Sequence, residues 1–375
     1  MIMTKYIPIL KTGDAELRGL EQLQNEIKDE IVPLIELTKY RSISKQIAGS
    51  EKKQKIELPI SKRIDKIEQA LGHKRAFILD LTSDNSLTNE QIRRLRSSEK
   101  GFESWCAFLW SQKQRFPLLI PVIQLSEEGS TNWAEFEENR SKQLLFLQKH
   151  FGTYVYRFPA ADSNYEEDLE AIVKILDCNQ IMCCIDISFI PQGKGKLLLN
   201  DIILLIQTIH KSFGISNFLV SGTSFPASLS EFTTAEYGKF ALEEVALFSA
   251  LKKSMEKLSI QFCYSDYGCI NPNRVSIMAR GWIPKIDCPT DTEMFFYRKR
   301  KGKSNYADVY CEVAQQLVID PMYTRTKELV TKNCWAIKMI EDTAKGNPPN
   351  LSPSFWISVR FNLAVTVRAK LLNLM

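Results

Sequence analysis

Eight polar or charged side chains each follow or interrupt a short apolar segment. In chain order they are Lys11, Glu36, Asp80, Gln124, Arg157, Asp186, Ser221 and Asp266. A charge placed directly after a buried segment is costly unless it meets a partner or a ligand. The set therefore predicts one polar site to which several segments contribute.

Two roles follow from the residue types in this set. The candidate catalytic residues are Glu36, Asp80, Asp186 and Asp266. Carboxylates of this kind act as general acid and base, or hold a hard cation such as Mg²⁺ through oxygen ligands, and the sequence does not choose between these uses. The candidate ligand-binding residues are Lys11, Arg157, Ser221, Thr223, Ser224 and Tyr267. Arginine and lysine bind anions, so the predicted ligand is anionic and phosphate- or nucleotide-like.

A purely structural interpretation of the same residues stays open. Lys11 and Arg157 would then neutralise the carboxylates in a closed salt-bridge network. The segment from Ser221 to Pro226 is either a phosphate-binding loop or a simple polar turn, and Asp266-Tyr267-Gly268 is either part of the site or a tight turn.

The sequence lacks the residues that several common enzyme mechanisms require. His73, His150 and His210 fall in a turn and in helical patterns rather than at strand ends, which argues against a histidine-dependent hydrolase. The motifs G-x-S-x-G, G-x-x-x-x-G-K-[ST], H-E-x-x-H and G-x-G-x-x-G do not occur. Lys11 is a poor Schiff-base nucleophile, since the nearby carboxylate of Glu36 would raise its pKa.

The elements that must position these residues alternate between short apolar runs and long amphipathic stretches. The predicted strands are 6–11, 31–37, 76–81, 118–125, 153–158, 181–187, 217–221 and 261–264. Eight such units predict an α/β fold, a (β/α)8 TIM-like barrel whose working residues lie at the C-terminal ends of its strands. A doubly wound open sheet is the competing architecture.

The predicted barrel domain spans residues 1–270, and residues 271–375 form a C-terminal α+β extension packed on it. Helices are expected at 14–28, 63–71 and 133–151, with a polar loop or small excursion at 38–58. The extension is predicted to contain a hairpin at 275–300 and helices at 306–318 and 325–344. Residues 354–372 show no clear period, so the sequence assigns them neither to a helix nor to a strand.

Composition indicates a folded globular chain without a membrane segment. The 375 residues are 44% hydrophobic and carry a formal charge of +5. Nine cysteines without a C-x-x-C pair, and a start without a signal-peptide pattern, favour the cytoplasm. The basic run 298–303 follows Phe295, Phe296 and Tyr297, whose rings would stack on bases if the protein bound nucleic acid.

The segments described so far resemble the "beta protein" family of bacteria and phages. The resemblance covers about the first 270 residues and rests on YIPILK at 6–11, PLIE at 33–36, Asp80, PVI at 121–123, Arg157, Asp186, SGTSFP at 221–226 and DYG at 266–268. The family tends to end in a tryptophan followed by a histidine-rich strand, whereas Trp356 leads here into ISVRF. The resemblance implies no established reaction. It implies occurrence in phages and defence-associated gene clusters, hence a part in phage–host conflict.

Three functions are therefore expected alternatives. The first is an enzyme or sensor for an anionic small molecule. The second is a non-catalytic interaction component of a defence assembly, with a protein partner. The third is nucleic-acid binding through the basic run and the C-terminal arginines.

Overall fold

Eight parallel strands form the centre of the computed structural model, which describes residues 6–46, 53–229, 233–256, 258, 260–273, 281–330 and 332–374. In order around the sheet they are Leu119–Pro121, Phe77–Leu81, Leu34–Leu37, Tyr6–Lys11, Gln261–Asp266, Asn217–Thr223, Ile181–Phe189 and Tyr154–Pro159. A parallel bridge between Val122 and Val155 joins the two edge strands, and the amide of Ile123 donates to Val155 O at 2.9 Å. The sheet is therefore closed into a (β/α)8-type barrel, and the open-sheet alternative is wrong.

The barrel strands are β1 (Tyr6–Lys11), β2 (Leu34–Leu37), β5 (Phe77–Leu81), β6 (Leu119–Pro121), β7 (Tyr154–Pro159), β8 (Ile181–Phe189), β9 (Asn217–Thr223) and β11 (Gln261–Asp266). The helices between and after them are α1 (Asp14–Glu21), α2 (Asn25–Glu30), α3 (Ser61–Leu71), α4 (Glu90–Arg96), α5 (Glu99–Arg115), α6 (Trp133–His150), α7 (Tyr165–Val173), α8 (Gly195–Phe213) and α9 (Glu243–Met255). Asparagine caps start two of them: Asn89 accepts from Ile92 N and Asn132 from Glu135 N.

Both faces of the strands are apolar because both are covered. Side chains on one face pack against the helices, and those on the other fill the barrel interior. The interior cluster contains Ile7, Ile9, Val32, Leu34, Ile78, Ile120, Val122, Val155, Met182, Cys184, Leu219 and Tyr267. The barrel is thus a packed core rather than a pore.

Two segments of the barrel differ from the sequence predictions. The helix predicted at 14–28 is interrupted, and Lys28 Nζ folds back to Glu21 O at 2.7 Å, which pairs a carbonyl left free where α1 ends. The polar segment at 38–58 contains an antiparallel pair, β3 (Ser42–Gln46) and β4 (Lys53–Glu57).

The C-terminal part contains a second sheet with the order β10-β13-β12. Strands β12 (Lys285–Pro289) and β13 (Glu293–Arg298) form the predicted hairpin, whose first residues, 275–280, lie outside the described ranges. Strand β10 (Tyr237–Ala241) comes from the connection between β9 and α9 and pairs with β13. The second sheet therefore combines residues from both predicted domains.

Four helices complete this part: α10 (Tyr306–Val318), α11 (Pro321–Leu329), α12 (Trp335–Ala344) and α13 (Pro353–Leu374). The helix predicted at 325–344 is two helices. Asn362 Oδ1 of α13 accepts from Ala336 N at 3.3 Å, so a side chain from a distant helix caps the start of α12. The unassigned segment 354–372 is helical.

Helix α13 lies between the barrel and the second sheet. Every residue from 358 to 369 is buried, and Asn362 Nδ2 donates to Gly19 O on α1 at 3.0 Å. A Cβ on Gly19 would lie 2.8 Å from Phe361 Cδ1, so this close approach requires glycine. The division into domains at residue 270 stays a prediction.

Within the described ranges, no helix has both the length and the apolar character needed to cross a bilayer.

Candidate functional site

The polar residues at the strand ends form the top layer of the barrel interior. Side chains alternate between the two faces of a strand, so a residue two positions after an interior residue also points inward. Lys11, Glu36 and Asp80 follow Ile9, Leu34 and Ile78 in this way, and backbone pairing aligns the three across β1, β2 and β5. The same relation holds for Gln124, Arg157, Asp186, Ser221 and Tyr267.

Arg157 is the centre of this layer, where it donates four hydrogen bonds and contacts three carboxylates. Nη1 lies 2.8 Å from both Glu36 Oε1 and Asp80 Oδ2. Nε and Nη2 bind Asp186 Oδ2 at 3.1 and 2.7 Å, and Nη2 also donates to Tyr267 Oη at 3.0 Å. The three carboxylates and Tyr267 therefore surround the guanidinium and balance its charge.

The carboxylates are held by further donors. Gln124 Nε2 and Leu81 N donate to Asp80 Oδ1 at 3.1 and 2.8 Å. The Tyr267 hydroxyl lies 2.7 Å from Asp186 Oδ2, to which it donates, and Ser188 N donates to Asp186 Oδ1 at 2.8 Å. Burial raises the pKa of Asp80, and burial raises that of Tyr267 well above its ordinary value.

The closed salt-bridge network is thus the arrangement that the structure contains. Three carboxylates already balance the charge of Arg157, which weakens the main attraction expected for a phosphate here. In the described ranges there is no group of three or more His, Cys, Asp or Glu placed to hold a metal ion. The guanidinium occupies the space between Glu36, Asp80 and Asp186 that a cation would need.

Lys11 connects this network to a large cavity. Its Nζ donates to Pro272 O and lies 3.6 Å from Glu36 Oε2. The cavity measures about 860 Å³ and lies between the barrel mouth and the C-terminal elements. Its described lining includes seven basic residues, Lys11, Lys39, Arg41, Arg63, Lys285, Arg298 and Arg360, and two acidic ones, Asp14 and Glu16. Its aromatic lining is Tyr40, Phe225, Trp282, Tyr310 and Trp356.

Asp266 lies on the other face of its strand, away from the network. It accepts hydrogen bonds from the hydroxyls of Tyr6 and Tyr264 at 2.7 and 2.8 Å and from Gly268 N at 2.9 Å. Its neighbours Ser265 and Tyr267 are the residues that point inward, because side chains alternate along β11. The prediction that Asp266 joins the other carboxylates is therefore wrong.

The hydroxyls of the predicted phosphate loop are already bound within the protein. Ser221 Oγ donates to Asp186 Oδ1 at 3.3 Å, and Thr223 Oγ1 accepts from Phe225 N at 3.2 Å. Ser224 donates through both its amide and its hydroxyl to buried Glu244, at 2.9 and 2.6 Å. Burial raises the pKa of Glu244 to about 7. Ser221 to Thr223 thus belong to the end of β9, and Ser224 begins the polar turn that follows it.

Comparison with known proteins gives the family. The model of the family described as Beta protein matches residues 6–368. The chain belongs to the Beta protein family. "Protein beta" of Enterobacteria phage P4 is 26% identical over 368 residues, which cover 98% of this chain and 93% of the phage protein.

Two solved structures are similar to this member of the Beta protein family. A GH18 chitinase from Pseudoalteromonas aurantia is 12% identical with a TM-score of 0.40, covering 70% of this chain and 93% of that chain. A family 18 chitinase from Crocus vernus is 13% identical with a TM-score of 0.39, covering 69% and 91%.

The sequence of this Beta protein family member does not predict that its basic residues line one cavity wall. Arg298 was interpreted as the start of an exposed nucleic-acid-binding run, but its side chain is buried and donates to Ala235 O and Thr233 O. Phe295 and Phe296 are completely buried, so the expectation that their rings stack on bases is wrong. Arg360 is one of the C-terminal arginines considered for nucleic-acid binding, and only Lys285 carries no signal in the sequence, because it does not lie near a barrel strand end.

Asp266→Asn should lower the free energy of unfolding by about 1–3 kcal/mol, because a buried group loses an acceptor that two tyrosines use. Urea denaturation at pH 7 measures this change. Binding of any ligand in the cavity should be unaffected, since Asp266 does not line it. If the variant had normal stability but no longer bound the ligand, Asp266 would be part of the ligand-binding site after all.

Proposed function

We propose that the protein binds an anionic small molecule, phosphate-bearing or nucleotide-like, in the cavity between the barrel mouth and the C-terminal elements. The observation that carries this proposal is the excess of seven basic over two acidic residues in the described lining. A concave site that combines cationic and aromatic side chains suits a ligand with an anionic group and a planar or apolar part. We therefore expect the anion to contact the basic residues of the cavity, including Lys11 at its base, and not Arg157.

Four of the five aromatic side chains in the wall, those of Tyr40, Phe225, Tyr310 and Trp356, are buried within the protein, which supports a preformed site. The guanidinium carbon of Arg63 lies 4.7 Å from the centre of the Tyr40 ring, and Trp356 stacks on Tyr310 with ring centres 5.1 Å apart. Side chains fixed in this way lose little conformational entropy when a ligand binds.

We retain Glu36, Asp80 and Asp186 as candidates for acid–base chemistry. Lys11 supports this because it contacts Glu36 and also lines the cavity, so a bound ligand would lie next to the network. The raised pKa of Asp80 also suits a proton donor. Catalysis would require a substrate group to replace one contact of Arg157.

A thermal-shift screen with nucleotides, sugar phosphates and inorganic phosphate tests ligand binding. At about 100-fold excess over its dissociation constant, a specific ligand should add about 2.7 kcal/mol of stability. Arg41→Glu, at the exposed rim of the cavity, should remove most of this gain. Arg94→Glu is the matched control, since Arg94 is exposed and does not line the cavity. Equal shifts in both variants, or none with any compound in the wild type, would contradict the proposal.

We also propose that this binding serves the conflict between phage and host, in the cytoplasm. Membership of the Beta protein family and the relative in phage P4 support the first part by association, and nine free cysteines support the second. Plating efficiency of a phage panel on cells with wild type, Arg41→Glu and Arg94→Glu tests the role. If all three strains protect equally, ligand binding is not involved, and a protein partner becomes the better explanation.

A further inference from the structure

We infer that the wall formed by β12, β13 and α13 is a subsite for a phosphate dianion, built from Lys285, Arg298, Arg360 and Trp356. This inference rests on the proposed function, because it assigns one part of the same cavity to the anionic group of the ligand. The chemistry recognised is the dianion itself, whether it is free phosphate or a phosphomonoester.

Charge is the first reason. Asp287 binds both Lys285, with Nζ 2.9 and 3.1 Å from its two oxygens, and Arg360 Nη1. Arg298, the cross-strand partner of Lys285, donates to carbonyl oxygens and forms no ion pair with a carboxylate in the described ranges. Three cations and one carboxylate leave a formal charge of +2. A dianion would balance it.

Burial makes this excess charge significant. Asp287, Arg298 and Arg360 are each no more than 6% exposed. Burying like charges without a counter-charge is unfavourable, and burial lowers the pKa of Lys285 to about 8. The protein therefore carries an electrostatic cost here that a bound anion would relieve.

Unused hydrogen-bond donors are a second and independent reason. Nε of Arg360 and Nε1 of Trp356 are buried and have no acceptor among the described residues. The two residues are four positions apart on α13, so they lie one turn apart on the same side of the helix. Both residues line the cavity, so their unused donors lie in the wall that the anion would contact.

Packing holds the cationic groups together. The guanidinium carbon of Arg360 lies 3.9 Å from the centre of the Phe225 ring, and Lys285 Nζ lies 5.1 Å from the same centre. Cations close to an aromatic ring are stabilised there, so Phe225 helps to hold both side chains beside Asp287. The subsite is thus preformed rather than assembled by the ligand.

Isothermal titration calorimetry on the full chain with inorganic phosphate, AMP and adenosine tests the subsite. Lys285→Gln should weaken phosphate and AMP about tenfold or more, because a charge-assisted hydrogen bond is lost. Lys285→Arg should retain most of the affinity. The control is Lys239→Gln, whose lysine lies in the same sheet and pairs with Glu293 at 3.2 Å but does not line the cavity. Trp356→Phe removes only the N–H and should weaken both ligands about threefold to tenfold.

The pH dependence gives a second readout. The charged groups around Lys285 are Asp287, Arg298 and Arg360, and burial lowers the pKa of the lysine to about 8. Affinity for phosphate should therefore fall as the pH rises from 7 to 9, and Lys285→Arg should remove this fall.

The outcomes separate this subsite from the proposed function. Loss of affinity for phosphate and AMP in Lys285→Gln, with none in Lys239→Gln, supports the subsite, and tighter binding of AMP than of phosphate identifies a phosphomonoester as the ligand. AMP or adenosine binding that is equal in all variants would overturn the subsite but leave ligand binding in place. Binding of none of the three probes to the wild type would overturn the subsite. If the broader screen also finds no ligand, the proposed function fails with it.

Discussion

Replacing Arg157 with methionine should lower the free energy of unfolding by about 3–5 kcal/mol. The change leaves Glu36, Asp80 and Asp186 facing one another without the cation that each of them contacts. All three carboxylate side chains are at most 13% exposed, so water screens their repulsion poorly. Removing one partner of a buried ion cluster costs more than the cluster contributes as a whole.

Urea denaturation from pH 5 to pH 8 measures this effect. The loss should be smaller at pH 5, because Asp80 takes up a proton more readily once the cation that lowers its pKa is gone. The sign follows from the pKa of Asp80, which burial already raises: a carboxyl with a raised folded-state pKa stabilises the protein less as the pH increases. Arg93→Met is the control, since Arg93 pairs with Glu90 on an exposed helix face and should change stability by less than about 1 kcal/mol. A pH-independent loss, or an equal loss in both variants, would show that the network is not electrostatically coupled.

Phe361→Ala should lower the free energy of unfolding by about 3–5 kcal/mol, as expected for truncation of a buried phenylalanine. Phe361 is completely buried on α13 and packs against Gly19 on α1 and Gly268 after β11. At Gly268 the backbone has a φ of +55°, and a Cβ there would lie 2.5 Å from Phe361 Cδ2. Neither glycine has a side chain that could move into the space left by Phe361, so the cavity made by the truncation would remain.

This variant also tests the division at residue 270. If α13 joins the two parts into one cooperative unit, both the wild type and Phe361→Ala should unfold in a single transition, detected alike by fluorescence and circular dichroism. Two separate transitions in the variant would instead support independent domains. Phe189→Ala is the control, because Phe189 is 37% exposed and should change stability by less than about 1 kcal/mol.

The inward-facing layer of polar residues could be predicted, whereas its use could not. Lys11, Glu36 and Asp80 end strands with strong apolar patterns, and alternation fixes the face on which they lie. The length and flexibility of Arg157 decide the rest, since only the folded barrel brings its guanidinium to carboxylates 29 to 121 positions away along the chain. Alternation applied to β11 would also have placed Asp266 on the outer face.

The sequence by itself determined the eight βα units, because alternating apolar and amphipathic segments allow few other arrangements of buried strands. The tertiary structure decided that these units close into a barrel, through the bridge between Val122 and Val155. Only the tertiary structure decided the state of α13. That helix is buried on all sides, so its sequence has no amphipathic period from which a helix could be predicted. The same is true of the basic wall, where Lys285, Arg298 and Arg360 meet through the packing of a hairpin against a helix. The hydrophobic pattern of a segment predicts which of its faces is buried, but it does not predict which other element packs against that face.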